Sequence, residues 1–291
     1  MTNDSPSLSR RALLGALAAS PFVASLPALA DTPARKGRLK QSACRWTLDG
    51  FALPDVCSRL ARMGFAGIDL LHIDEWPVAR DAGLTVSMGY PSRRDRFIET
   101  GFNDPAHHTL LIGELEKALP LASKAGVANL IAMFGNRDPA IDEKAAIANC
   151  VAGLAKIAPL AEESHVTICV ELLNSRVDHH GYQGDRTAFG AAVMRGVNSP
   201  RVKLLYDIYH MQIMEGDVIR TIRDNIGWIG HFHTGGVPGR HEIDASQELN
   251  YHAIASTIAD LNFTGFVAHE FKPTRADPFA SFADAFRICT V

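Results

Sequence analysis

Val166-Thr167-Ile168-Cys169-Val170-Glu171-Leu172 is a run of apolar and β-branched residues that closes on a carboxylate. A run of this kind suits a parallel strand covered on both faces, since neither face has to be wet. Three runs downstream repeat the pattern: Leu204-Leu205-Tyr206-Asp207, Ile229-Gly230-His231-Phe232-His233 and Phe266-Val267-Ala268-His269-Glu270. Their terminal polar residues are 36, 26 and 37 residues apart, one β-α unit each. Working back toward the N-terminus, residues 42–46, 67–71, 85–88 and 129–134 read as four more short strands, with boundaries for the last four near 166–172, 202–208, 228–233 and 265–271.

The segments between these runs carry helix punctuation. Pro54 opens 55–63 before Gly64, Asn103-Asp104-Pro105 precedes an amphipathic stretch to Lys124, and Gly126 closes it. Further helices are expected at 141–164, 187–196, 217–225, 251–261 and 278–288. Eight strands alternating with helices at about 32 residues per repeat match the roughly 250 residues of a single α/β domain, the (β/α)8 TIM barrel. A doubly wound sheet is the alternative, but no G-x-G-x-x-G turn follows the first strand.

Composition agrees with one globular domain: 47% hydrophobic and 21% charged residues among 291. A net charge of -3 gives no field for attracting polyanions, so nucleic acid is not an expected partner. Residues 1–30 read instead as a twin-arginine-type signal peptide. Ser9-Arg10-Arg11 leads into the small-residue apolar stretch Ala12 to Ala30, and Ala28-Leu29-Ala30 offers an A-x-A cleavage site. The catalytic domain then spans 31–291, and the expected location is the periplasm, reached through the Tat export machinery; an uncleaved membrane anchor is the alternative. No later segment approaches the roughly twenty continuous apolar residues of a membrane span, so the mature protein is expected to be soluble. The five cysteines include no C-x-x-C pair, which argues against a disulfide framework and a thiolate zinc site.

In such barrels the C-terminal strand ends form the active-site face. Glu171, Asp207, His233 and Glu270 end four successive strands and should meet on one rim. Crowded carboxylates in a dry pocket repel one another unless a cation neutralises them, so a divalent metal is expected there, with manganese, magnesium, cobalt and zinc all compatible with three carboxylates and an imidazole. His231 shares the direction of His233 but lies deeper, and His269 faces away from Glu270, toward the outer helices, as a structural histidine.

The stretch from strand five onward resembles the hydroxypyruvate isomerase family, within the xylose-isomerase-like barrels. The resemblance rests on Val170-Glu171-Leu172, Tyr206-Asp207-Ile208-Tyr209-His210 with Gln212 and Glu215-Gly216-Asp217, and Ile229-Gly230-His231. It continues through Pro238-Gly239-Arg240-His241-Glu242, Glu248-Leu249-Asn250-Tyr251 and Glu270-Phe271-Lys272-Pro273. It implies that Glu171 and Glu270 are the paired acid-base residues, that Asp207 and the strand-seven residue hold metal, and that His210 and Arg240 contact substrate. His233 stands where that family usually carries glutamine and is more like the metal-binding sugar epimerases. The N-terminal strand ends, Arg45-Trp46-Thr47, Leu71-His72-Ile73-Asp74 and Met133-Phe134-Gly135-Asn136, do not match the family patterns, so the substrate stays open between keto acids and sugars.

The expected chemistry is proton transfer beside the carbonyl of a small α-hydroxy-carbonyl compound, by Glu171 and Glu270, through an enediolate, giving isomerisation or epimerisation. An exported lyase or hydratase acting on keto sugars or oxidised glycosides would use the same residues, and a sugar-binding barrel would need only the pocket. A DNA-repair endonuclease would require more histidine ligands and a basic groove. Arg240 can clamp a substrate carboxylate or form a surface salt bridge. Trp46 reads as a wall for a sugar ring or as core, His179 and His180 either line the mouth or are solvated, with solvation favoured, and a homo-oligomer is compatible with the sequence.

Overall fold

The computed structural model describes residues 37–291, so the expected signal at residues 1–30 lies outside the described residues. Eight parallel strands close into a barrel in chain order: β1 Lys40–Cys44, β2 Gly67–Leu71, β3 Thr85–Gly89, β4 Asn129–Met133, β5 Thr167–Leu172, β6 Val202–Asp207, β7 Ile229–Thr234 and β8 Phe266–His269. β8 returns to pair with β1, Ser42 opposite Ala268, so the TIM barrel is complete. β2, β4 and β5 are buried along their whole length, as the unbroken apolar runs require.

Among the described residues, nine α-helices connect or cover the staves: α1 Leu53–Met63, α2 Trp76–Asp81, α3 His108–Ala125, α4 Glu143–Ser164, α5 Thr187–Val197, α6 Ile208–Met214, α7 Val218–Asn225, α8 Tyr251–Asp260 and α9 Pro278–Cys289. Local chemistry sets their ends. The Asp142 carboxylate accepts the Ala145 N–H at 2.7 Å to start α4, and Gly64, at φ 95°, closes α1 in the left-handed conformation. On α4, Ala146, Cys150, Leu154, Ile157 and Ala161 are buried against the barrel, each fully buried Leu or Ile contributing roughly 1.5–3 kcal/mol. This helix corrects one expectation, because it is long and apolar enough to cross a membrane by length and composition. Its buried stripe and the exposed Glu143, Lys144 and Lys156 mark it as a barrel helix.

Three local departures from the expected pattern bear on the site. β1 ends at Cys44, two residues early, because Arg45–Leu48 coils into a 3-10 turn whose Thr47 hydroxyl donates to the Cys44 carbonyl at 2.7 Å. α2 and α6 are too short to show a helical period, and α6 starts directly on Asp207, whose side chain accepts the His210 N–H at 3.2 Å. The β2–β3 register shifts on both sides of Asp69, and Leu70 takes φ 58°.

Candidate metal centre

Four strand ends deliver the four expected side chains to one place. Glu171, Asp207, His233 and Glu270 each offer a ligand atom within 4.8 Å of the others, and all four are buried. His233 turns Nδ1 toward this group, 2.8 Å from Glu270 Oε2 and 3.4 Å from Glu171 Oε1. Arg240 reaches in from the loop after β7 and donates through Nη2 to Glu270 Oε2 at 2.5 Å and to Asp207 Oδ2 at 3.5 Å. The Trp46 indole N–H donates to the other Glu270 oxygen at 2.7 Å, so the ring the sequence offered as wall or core is also a hydrogen-bond donor to the site.

The backbone aims Arg240. Gly239 (φ 91°) and Arg240 (φ 58°) are consecutive left-handed residues, a conformation that glycine adopts freely and arginine does not. The turn is held by the Arg240 N–H to the Gly236 carbonyl at 2.8 Å and by the Lys272 N–H to the Arg240 carbonyl at 2.6 Å. The guanidinium then lies 5.3 Å from the Trp46 ring and 5.4 Å from the Tyr209 ring, which suits a delocalised cation. Only 13% of the side chain is exposed.

The electrostatics show too little positive charge for the acids present. Burial pushes Asp207 up to about 7 and also raises Glu171, whose neighbour Glu270 adds to the effect. Glu270 is equally buried, yet Arg240 and then His233 more than offset the burial and hold it well below the usual carboxylate range. Burial would neutralise His233, but Glu270 and the surrounding acceptors raise it well above an ordinary imidazole. Two carboxyls are thus pushed toward keeping a proton beside a third held ionised, a crowding of acids that a bound cation would relieve. Three hard carboxylate oxygens and one imidazole nitrogen are also a suitable donor set for a divalent ion, so the residues fit one.

His210 is packed beside Asp207, Nε2 3.5 Å from Oδ2, with no exposed surface; it stands behind the rim and is not part of the cavity wall. Asn174 fixes its tautomer. The Asn174 carbonyl oxygen accepts the Val177 and Asp178 N–H groups at 2.9 and 3.0 Å, which leaves its amide N–H to donate to His210 Nδ1 at 2.6 Å. His210 therefore carries its proton on Nε2, facing Asp207, and burial holds it well below the usual imidazole range. His269 bonds away from the site, to Thr234 and Gln41, as expected of a structural histidine. His180 is exposed as expected, but His179 is not simply solvated: it lies half-buried on the cavity wall, its ring 5.4 Å from that of His210.

A cavity of about 1030 Å³ opens onto this group at Glu171 and Glu270. Trp46, Arg240, Tyr90, Arg45 and Leu70 line it beside the two glutamates. Sequence reasoning missed Asp69 altogether. This β2 carboxylate is fully buried and reaches across the barrel lumen to β7, with Oδ2 2.8 Å from His233 Nε2 and Oδ1 3.2 Å from His231 Nε2. Burial opposes its charge, but the two imidazoles, His231 first, hold it well below the usual range. The signal was available, because an aspartate inside a five-residue apolar strand has to be paired.

A family model described as Xylose isomerase-like TIM barrel matches residues 57–288. A 2-oxo-tetronate isomerase of Cupriavidus necator is 34% identical over 161 residues, covering 55% of this chain and 61% of that protein. A putative hydroxypyruvate isomerase of Danio rerio is 31% identical over 168 residues, with the same coverage of 55% and 61%. The chain thus spans about three fifths of the length of these relatives. A crystal structure described as an AP endonuclease, family 2, from Brucella melitensis superposes with a TM-score of 0.73 at 23% identity, covering 83% of this chain and 96% of that one, which shows the shared fold.

Proposed function

Because this chain belongs to the xylose isomerase-like TIM barrel family, we propose that it is an isomerase or epimerase of a small α-hydroxy-carbonyl compound, a keto acid or keto sugar, in the manner of hydroxypyruvate isomerase. The observation that carries this reading is the pair Glu171 and Glu270, brought within 4.8 Å of each other beside Asp207 and His233 but given opposite electrostatic surroundings. A pair of carboxyls pushed apart in this way divides the work of acid and base. Glu270, held ionised by Arg240, is suited to take the proton from the carbon beside the carbonyl, the C–H electrons moving to form an enediolate. Glu171, which burial inclines to hold a proton, is suited to return one at the adjacent carbon for isomerisation, or on the opposite face of the same carbon for epimerisation.

Glu171, Asp207, His233 and Glu270 would hold manganese, magnesium, cobalt or zinc, which supplies positive charge at the substrate's carbonyl and hydroxyl oxygens and acidifies the adjoining C–H. Arg240, already directed at two acids, offers donors on its planar fork to a substrate carboxylate or hydroxyl. His210, 3.5 Å behind Asp207 and without exposed surface, would act on the substrate through Asp207 and not by direct contact. An endonuclease reading is weaker, because the described residues hold only one further candidate ligand group, Cys44, Asp69 and His233, and it shares His233.

The size of the cavity favours a second reading. Pockets for small molecules usually run to roughly 300–1,000 Å³, and the 1030 Å³ here is generous for a three- or four-carbon acid. An oxidised glycoside would fill it, and the same glutamates would then serve an epimerase or a lyase. Incubating the purified protein in deuterated water with hydroxypyruvate, keto sugars and keto glycosides, after metal analysis, tests both. Deuterium uptake at carbon that is lost in Glu171→Gln and Glu270→Gln supports the isomerase, aglycone release supports the lyase, and unaltered substrates with tight binding would leave only a binding protein. Export stays part of the proposal on the strength of Arg10-Arg11 and the alanine-rich stretch after it, and cell fractionation tests it.

A further inference from the structure

Asp69 plays no part in the proton transfers above, yet the fold goes to some length to place it. A regular β2 would send Asp69 and Leu70 to opposite faces. The register shifts around Asp69 and the left-handed Leu70 turn both inward instead, Leu70 onto the cavity wall and Asp69 beneath His233. A left-handed leucine is strained and persists only where its surroundings hold it. The carboxylate is then fully engaged: Oδ2 meets His233 Nε2 at 2.8 Å and the Cys44 thiol at 3.7 Å, and Oδ1 meets the Ser87 hydroxyl and His231. None of these partners lies in the cavity, and Asp69 has no exposed surface.

An imidazole has two nitrogens, and only the unprotonated one can bind a cation. Without a cation both nitrogens of His233 face carboxylates, Nε2 to Asp69 and Nδ1 to Glu270, each at 2.8 Å; a cation among the acids would take the place of the Nδ1 proton, while Asp69 retains the one on Nε2. We infer that Asp69 is a positioning residue that fixes the Nε2–H tautomer and the ring plane of His233, and thereby sets the affinity of the four-residue centre for a divalent cation. This inference rests on the metal-assisted reading of the site. It differs from that reading in that Asp69 touches neither the cation nor the substrate, and its effect is exerted entirely through the far side of one ring. Outer partners of metal-bound histidines typically change affinity by 10–100-fold.

The test is a Mn²⁺ titration of the full chain, followed by electron paramagnetic resonance, with ring nitrogens of ¹⁵N-histidine protein followed by NMR in the Zn²⁺-loaded form. The wild type is expected to bind one Mn²⁺ and to show a slowly exchanging His233 Nε2 proton with Nδ1 bound to zinc. Asp69→Asn, whose amide can donate to Nε2 and favour the wrong tautomer, is expected to lose about 10–100-fold in Mn²⁺ affinity and to lose that proton signal while keeping the wild-type unfolding midpoint within a few degrees. Ser87→Ala, which leaves His231 as the one remaining partner of Asp69 Oδ1 and so loosens the carboxylate, is expected to shift affinity in the same direction by less, and it decides the matter if Asp69→Asn does not fold. Unchanged affinity and ring signals in both variants overturn the inference and leave the metal-assisted reading intact. Two bound ions per chain, one of them lost in Cys44→Ser, overturn it in favour of a second cation at Cys44, Asp69 and His233. A wild type that binds no divalent ion overturns both.

Discussion

Lowering the pH from 7 to 5 should cost the wild-type protein stability that a His269→Gln variant does not lose. His269 is fully buried, and its two ring nitrogens are satisfied by the Thr234 hydroxyl at 2.9 Å and the Gln41 side-chain oxygen at 2.9 Å. Gln41 Oε1 can only accept here, so Nε2 carries the proton and Nδ1 accepts from Thr234, which describes a neutral ring. Burial lowers it from 6.5 to about 3. Below pH 6.5 the unfolded chain takes up a proton at this residue and the folded chain does not until about pH 3. The stabilisation is therefore complete above 6.5 and is lost progressively as pH falls through that window. Between pH 7 and 5 one such group accounts for about 2 kcal/mol. Glutamine retains a donor and an acceptor but does not titrate, so the variant begins less stable at pH 7 and the gap to wild type should narrow by that amount at pH 5. Urea unfolding of both proteins at the two pH values measures it, and contributions common to both, including those of the site carboxylates, cancel in the difference. A gap that is the same at both pH values refutes the argument.

Trp46→Phe keeps a ring beside Arg240 but removes the donor to Glu270, so kcat should fall by roughly tenfold, the value of about 1.4 kcal/mol for one charge-assisted hydrogen bond, with the acidic limb of the rate profile moved to higher pH; steady-state kinetics across pH checks both. Arg240→Lys replaces a fork that spans Glu270 and Asp207 with a single ammonium, and KM should rise by about ten- to a hundredfold, more than kcat falls, for a carboxylate-bearing substrate. Gly101→Ala would drive a methyl group into the Phe134–Gly135 backbone, which has no room to move, and should abolish soluble folding or lower stability by about 3 kcal/mol or more in thermal unfolding.

The barrel was legible because parallel strands buried on both sides leave unbroken apolar runs, and β5 to β8 could each be placed within about two residues of their true ends. The clustering of Glu171, Asp207, His233 and Glu270 was legible for a related reason, since a polar residue closing such a run, as Glu171 and Asp207 do, has only the rim to go to. What escaped notice lies where the chain departs from regular periods. Asp69 sits in mid-run, and its role depends on a bulge at Leu70 that no two-residue alternation encodes. Trp46 was assigned to a strand, but β1 had already turned into a 3-10 coil, and its partner Glu270 is 224 residues away. His179 was expected to be solvated, yet its loop is drawn back over the cavity by Asn174 and by Asp178, which accepts from Tyr209 at 2.9 Å. α2 and α6, at six and seven residues, are shorter than two helical turns and leave too little pattern to read.

The pairing of β1 with β8 carries a consequence for how the protein comes into being. Trp46 meets Glu270 across 224 residues of chain and Asp69 meets His233 across 164, so the centre is stitched from both extremities of the described polypeptide. Contacts of such span form only after the intervening chain has been gathered in. A nascent chain still waiting for its last stave thus holds at most three of the four proposed cation ligands, and a truncation ahead of Glu270 removes the anchor of Arg240 and Trp46 along with the fourth. Cation uptake by ribosome-released fragments of increasing length would therefore time the moment at which the ring shuts.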